Sequence, residues 1–129
     1  MNLEHIAITI SDPKEIDSFY QGILGMKEVN RFSLKPDLCM KIFAINKKAD
    51  VFQLNKDELF LEIFICPKHS IGGFQHICVS VPDREEIVDK VVRHGYKVIR
   101  LKKDDFDLVF IGDNSGNLFE LKQKSENES

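Results

Sequence analysis

Tryptophan is missing from this chain, and cysteine, tyrosine and proline are scarce, with three, two and four copies among 129 residues. The three cysteines, Cys39, Cys66 and Cys78, are odd in number and widely spaced. That excludes a disulfide framework and a Cys-x-x-Cys zinc site. Reduced thiols in a cytoplasmic protein are the expectation. No apolar run approaches the length needed to span a membrane. The opening Met-Asn-Leu-Glu-His has neither a basic nor a long apolar region, so no signal peptide is expected. Neither sign of charge dominates, and the net charge of -3 argues against nucleic acid or an anionic membrane as partner. What remains has the composition of an ordinary globular domain, long enough to bury a core without covalent staples.

What is present is a repeat. The stretch LEHIAITISD, from Leu3, returns as FQHICVSVPD, from Phe74. Placing His5 against His76 also pairs Ile6 with Ile77, Asp12 with Asp83, Glu15 with Glu86 and Ile16 with Ile87, with no gap. Both copies predict a strand followed by a helix. Ile6, Ile8 and Ile10 alternate with His5, Ala7 and Thr9, and Ile77, Val79 and Val81 alternate with His76, Cys78 and Ser80. Each strand therefore has one aliphatic face, to be covered by a helix, and one small or polar face. Asp12 and Asp83 are expected N-caps, with Glu15 and Glu86 as capping-box partners. Pro13 fits the first helical position. The first helix places Ile16, Phe19, Tyr20 and Ile23 inward, and the second Ile87, Val88, Val91 and Val92. Gly25 and Gly95 are expected terminators.

Three strands follow each helix: 26–34, 51–54 and 59–65 in the first copy, and 96–102, 107–112 and 117–122 in the second. Turns are expected at 55–58 and 113–116. The first copy carries extra material, KPDLCMKIFAINKKA, between Leu34 and Asp50. Its strand-like segment CMKIFAI leaves three options: an extra strand, a continuation, or a loop. The expected architecture is α+β, with two tandem βαβββ modules spanning 1–66 and 75–124. A connector covers 67–74 and a flexible tail 125–129.

The last strand of each module carries one glutamate among apolar residues, Glu62 in ELFLEIFI and Glu120 in GNLFELKQ. A buried carboxylate without a partner is costly. His5 and His76, on the first strands, are the candidate partners. Two histidines and two glutamates at equivalent positions form a mixed nitrogen and oxygen set, suited to a divalent ion such as Zn, Ni, Co, Mn or Fe. The cysteines do not follow the repeat and are assigned to packing. His69, in the connector, and His94, at a helix end where its charge suits the dipole, also stand outside the pattern.

The paired modules, with HIAITI, FYQGILGM, GFQHICVSV and DNSGNLFEL, resemble the vicinal oxygen chelate superfamily from Leu3 to Gln123. That superfamily includes glyoxalase I, methylmalonyl-CoA epimerase, ring-cleaving dioxygenases, and fosfomycin and bleomycin resistance proteins. The resemblance implies that each module curls into a half-barrel, with a metal cleft whose ligands fall on His5, Glu62, His76 and Glu120. This set is similar to that of bacterial glyoxalase I. It implies a metal-dependent lyase or isomerase in which a Lewis acid stabilises an enediolate and a carboxylate moves a proton. Glu120 is the expected base and Glu62 its counterpart, with a small carbonyl compound or thiol adduct as substrate.

This chain departs from glyoxalase I where that enzyme holds glutathione, carrying Thr9 and Cys66 instead of an arginine and an asparagine. It departs from the epimerase in lacking a glutamate between Val29 and Asp57. An epimerase-like enzyme, a metal-dependent oxygenase and a non-catalytic drug-binding protein are the alternative readings. Arg31, Lys35, Lys41, Arg100 and Lys102 are the cations available to a substrate anion. Relatives of this size pair as homodimers, so a homodimer is expected, with the cleft formed within one chain or from modules of two.

Overall fold

The computed structural model describes residues 1–67 and 73–125. The chain divides into two compact units, Met1–His69 and Ser70–Ser129. The first holds β1 (Ile6–Ile10), a π-helix (Ile16–Gln21), β2 (Lys27–Leu34), α1 (Pro36–Phe43), β3 (Ala49–Lys56) and β4 (Leu59–Ile65). The second holds β5 (Ile77–Val81), α2 (Arg84–Arg93), β6 (Lys97–Lys103), β7 (Phe106–Gly112) and β8 (Leu118–Gln123). The sheets have equivalent orders, β1-β4-β3-β2 and β5-β8-β7-β6. In each, the first strand runs parallel to the last and the other pairings are antiparallel. The repeat thus marks two copies of one α+β topology, each an open mixed sheet.

Alternation along the strands sets the core. In β4, Leu61 and Ile63 point inward and are buried, while Phe60, Glu62 and Phe64 occupy the other face. In the first unit Ile10, Phe19, Tyr20, Val51 and Leu54 complete the buried set, with Phe19 and Tyr20 meeting edge to face at 5.0 Å. In the second unit Ile87, Val88, Val91, Val109, Ile111, Phe119 and Leu121 are buried. Each such aliphatic side chain contributes roughly 1.5–3 kcal/mol when removed from water, so these faces dominate the stability of each unit. Gly25 and Gly95 take positive φ of 72° and 75° where each helical segment stops, as expected of terminators.

Several local features differ from expectation. The first helical segment buries the predicted Ile16, Phe19, Tyr20 and Ile23, but it is wound as a π-helix. Gly22 N–H donates to Asp17 O at 2.8 Å, five residues back, and Leu24 N–H to Phe19 O at 3.0 Å. A Cβ at position 22 would lie 2.8 Å from Ser18 O and 2.9 Å from Asp17 O, so glycine lets the backbone close this way. The segment 36–43, whose CMKIFAI portion looks strand-like, is the α-helix α1. Pro36 stands in its first turn with Asp37, and Ala44 ends it in the left-handed conformation.

Asp83 occupies the N-cap position of α2, but its side chain makes no cap bond. Gln123, from the end of β8, does that work: its Oε1 accepts from Arg84 N–H at 3.2 Å, and its Nε2 donates to Pro82 O at 2.7 Å. Val92, predicted inward, is 62% exposed, because Ile87, Val88 and Val91 already fill the inner face. The 113–116 turn forms as expected. The Asp113 carboxylate accepts from Ser115 N–H at 2.8 Å, Asn117 N–H at 2.9 Å and Asn117 Nδ2 at 2.7 Å.

Candidate metal centre

His5 and His76 each stand one residue before their strands, β1 and β5, rather than within them. The parallel pairing carries each toward its glutamate. Ala7 registers with Glu62 and Cys78 with Glu120, so each histidine lies one same-face step from a carboxylate. His5 Nε2 is 3.3 Å from Glu62 Oε1, and His76 Nε2 is 3.6 Å from Glu120 Oε1. The glutamate side chains are only 15% and 16% exposed, whereas the histidines are 47% and 41% exposed. Carboxylates seated in the sheet surface and open imidazoles beside them give each unit one nitrogen and one oxygen donor. The structure thus brings together the predicted residues in two pairs. Among the described residues, no group of three or more His, Cys, Asp and Glu side chains could hold a metal ion.

The donor chemistry of the second pair fits a cation. His76 Nδ1 lies 2.9 Å from Phe74 O, and a carbonyl can only accept, so Nδ1 carries the hydrogen. In the neutral ring Nε2 then presents a lone pair toward the Glu120 carboxylate. A nitrogen lone pair and a carboxylate oxygen side by side are donors of the kind a divalent ion takes. The ring of Phe110 packs edge to face on His76 at 5.7 Å and limits its rotation.

The two pairs are not supported alike. Gln53, opposite Glu62 in the β3–β4 register, donates from Nε2 to Glu62 Oε2 at 2.7 Å. Asn30 Nδ2 in turn donates to Gln53 Oε1 at 3.1 Å, which fixes the orientation of the glutamine amide. In the second unit the residue opposite Glu120 is Phe110, which offers no hydrogen bond. Sequence reasoning missed Gln53 and Asn30. Their signal lies in register, since a residue facing Glu62 across an antiparallel pair is its nearest cross-strand neighbour.

The cysteines divide. Cys39 is buried, as packing requires, but Cys78 is exposed and lies on the same face as His76, so the packing assignment fails there. Partial desolvation and then the Glu120 charge push the Cys78 thiol up, with Lys122 acting against them. A thiol so raised stays protonated at neutral pH and is a poor donor to a metal.

Of the cations considered for a substrate anion, two are engaged. Arg31 bonds Glu28 at 2.8 Å and lies over the Phe52 ring at 4.5 Å. Arg100 reaches Asp107 at 2.7 Å and Glu85 at 2.6 Å. His94 closes α2 with Nδ1 2.7 Å from Lys90 O, a structural role. His69 lies outside the described residues. No helix among the described residues is long and apolar enough to cross a membrane.

Comparisons with known proteins agree with the fold. The fosfomycin resistance protein FosX from Mesorhizobium loti superimposes with a TM-score of 0.69 at 14% identity, covering 97% of this chain and 93% of that one. A FosX mutant from Listeria monocytogenes, solved with Mn(II) and 1S,2S-dihydroxypropylphosphonic acid, gives a TM-score of 0.72 at 17% identity, covering 97% and 94%. A glyoxalase family protein from Enterococcus faecalis gives 0.70 at 23% identity, covering 93% and 95%. At these identities the likeness is one of fold. A search of curated proteins finds no match. The sequence itself matches a family model, described as Glyoxalase/Bleomycin resistance protein/Dioxygenase superfamily, over residues 2–121. The chain belongs to that superfamily, the vicinal oxygen chelate proteins that its paired modules resemble.

Proposed function

We propose that the protein is a metal-dependent lyase or isomerase of the glyoxalase I type, acting on a small carbonyl compound or thiol adduct. One divalent ion (Zn, Ni, Co, Mn or Fe) is held by His5, Glu62, His76 and Glu120. The observation that carries this reading is the recurrence of a close His–Glu pair at the same position of two equivalent sheets. One pair offers too few donors for an ion, and two pairs make a four-donor set, contributed by one chain or by two. The Mn(II) in the Listeria structure supports a divalent ion on this fold.

When bound, the ion supplies Lewis-acid stabilisation of the negative charge that develops on substrate oxygen. The residues of the chain divide the remaining work. Glu62 is bonded by Gln53 and stands beside His5, so it acts as a fixed donor and a counterpart to the base. Glu120 has Phe110 opposite it instead of an amide, and it takes the proton from the carbon next to the carbonyl. The buried Phe119 and Leu121 keep the far side of that strand dry. A homodimer belongs to the same reading, since each open sheet leaves edge strands that association covers. Light scattering that finds a monomer at micromolar concentration would sink it.

The test of the chemistry is solvent-deuterium exchange at the carbonyl-adjacent carbon, run on thiol adducts of methylglyoxal and on acyl-CoA thioesters with metal-loaded protein. Glu120→Gln lowers exchange by about 10²–10⁴-fold while substrate binding changes far less. If the wild-type protein exchanges no such proton in any substrate, the isomerase reading falls, and an oxygenase or binding protein takes its place.

A further inference from the structure

The first unit contains a cavity of about 180 Å³. Its floor is the sheet face that carries the His5–Glu62 pair. Thr9 registers with Phe64 one same-face step beyond the Ala7–Glu62 pairing, and Ala7, Thr9 and Phe64 all line the cavity. Glu62 and Phe64 are successive residues on that face of β4, roughly 7 Å apart by strand geometry. The cavity therefore begins where the His5–Glu62 pair ends. Its roof is α1, through Cys39 and Phe43, and the Phe43 ring meets Phe64 edge to face at 5.4 Å. In the second unit β6 turns directly into β7 at residues 104 and 105, with no helix between them.

The walls are apolar and the small side chains of Ala7, Thr9 and Ala49 leave the space open. Two cations, Lys47 and Lys48, also line it. Lys48 pairs with Asp50 at 3.6 Å, whereas Lys47 makes no ion pair among the described residues. An apolar cavity of this order accepts a benzene-sized group and gains by excluding water. Lys47 is exposed as well as lining the cavity, so an anionic group on the outer end of an occupant would meet its charge in reach of water.

We propose that this cavity binds a substrate substituent of benzyl or isobutyl size on a molecule that carries a carboxylate for Lys47. The size match comes from the volume, the anion from Lys47, and the link to substrate from the shared sheet face. That the occupant is the substrate rests on the metal-site reading above, whereas the pocket itself is testable without metal.

The experiment is an NMR titration of the chelator-treated full chain with phenylacetate, benzyl alcohol and acetate. Phenylacetate is expected to shift the Ala7 and Thr9 methyl and Phe64 ring signals saturably, benzyl alcohol more weakly, and acetate not at all. Ala49→Leu fills the cavity and weakens phenylacetate at least tenfold. Lys47→Met, at an exposed position, weakens phenylacetate up to about fivefold, the scale of one exposed ion pair, and leaves benzyl alcohol unchanged. No saturable shift with any probe, or an Ala49→Leu variant that binds as the wild type does, overturns the pocket. Equal binding of phenylacetate and benzyl alcohol overturns the carboxylate. Because metal is absent throughout, a failure here is separate from a failure of the four-ligand site, which is read from metal affinity alone.

Discussion

Gln53 Nε2 donates to Glu62 Oε2 at 2.7 Å, and the second sheet has no such bond to Glu120. The amide is itself oriented by Asn30, so Glu62 is fixed before any ion arrives. Outer partners of metal-binding carboxylates typically govern about 10–100-fold in affinity. Gln53→Leu is therefore expected to weaken divalent-ion binding by about tenfold or more, and Asn30→Ala by less. Titration calorimetry on folded protein reads both, and wild-type affinity in Gln53→Leu would remove the glutamine from the site.

His76→Ala tests the ligand set directly. The side chain is 41% exposed, so its loss is expected to cost folding no more than about 1 kcal/mol. Elemental analysis of the folded variant should show metal well below one ion per site. Unchanged stoichiometry would take His76 out of the ligand set.

Gly22→Ala probes the π-helix. Alanine gains about 1 kcal/mol of helix propensity over glycine. Here that gain is outweighed, because the new Cβ would lie 2.8 Å and 2.9 Å from two backbone oxygens. Overpacking of this kind typically costs about 1–3 kcal/mol. Denaturant unfolding should show a net loss, and a more stable variant would mean that the wide turn relaxes freely to an α-helix.

Acid should weaken the second unit through Arg100. Its hydrogen bonds hold the Asp107 and Glu85 carboxyls below their usual range, with the Arg100 charge and Arg84 adding to the effect. Folded values below the unfolded ones mean stability that is present above the ordinary carboxylate range, about pH 4, and lost as pH falls through the lowered values. The difference in Tm between wild type and Arg100→Met should therefore shrink as pH drops from about 6 to about 3. A difference that stays constant across that range would show that the network contributes no pH dependence.

The repeat was legible because period-two alternation and the histidine recur together, and the same geometry recurs in β1 and β5. The last strands were legible because Glu62 and Glu120 interrupt apolar runs. The helix α1 was not, although Pro36 and Asp37 are start signals, because CMKIFAI is too short and too uniformly apolar to show a helical period. Its only buried residue is Cys39, so packing leaves little pattern in the sequence. Gln53 and Lys47 are ordinary polar residues in sequence. Their meaning comes from the partner strand for one and from the cavity for the other. The local motif allows Asp83 as a side-chain cap, whereas the amide that serves the helix comes from Gln123, far along the chain.

That last contact ties the start of α2 to a residue thirty-nine positions downstream. The backbone of Lys124 also donates to Val81 O at 2.7 Å, at the same junction. During synthesis the two halves of the chain therefore mature on different schedules. Every strand of the first sheet has emerged once Ile65 clears the ribosome, while the second waits for Gln123. Nascent chains released short of that residue would carry a finished first half beside a second whose helix lacks its clasp, a form that quality-control proteases would meet as half native and half open.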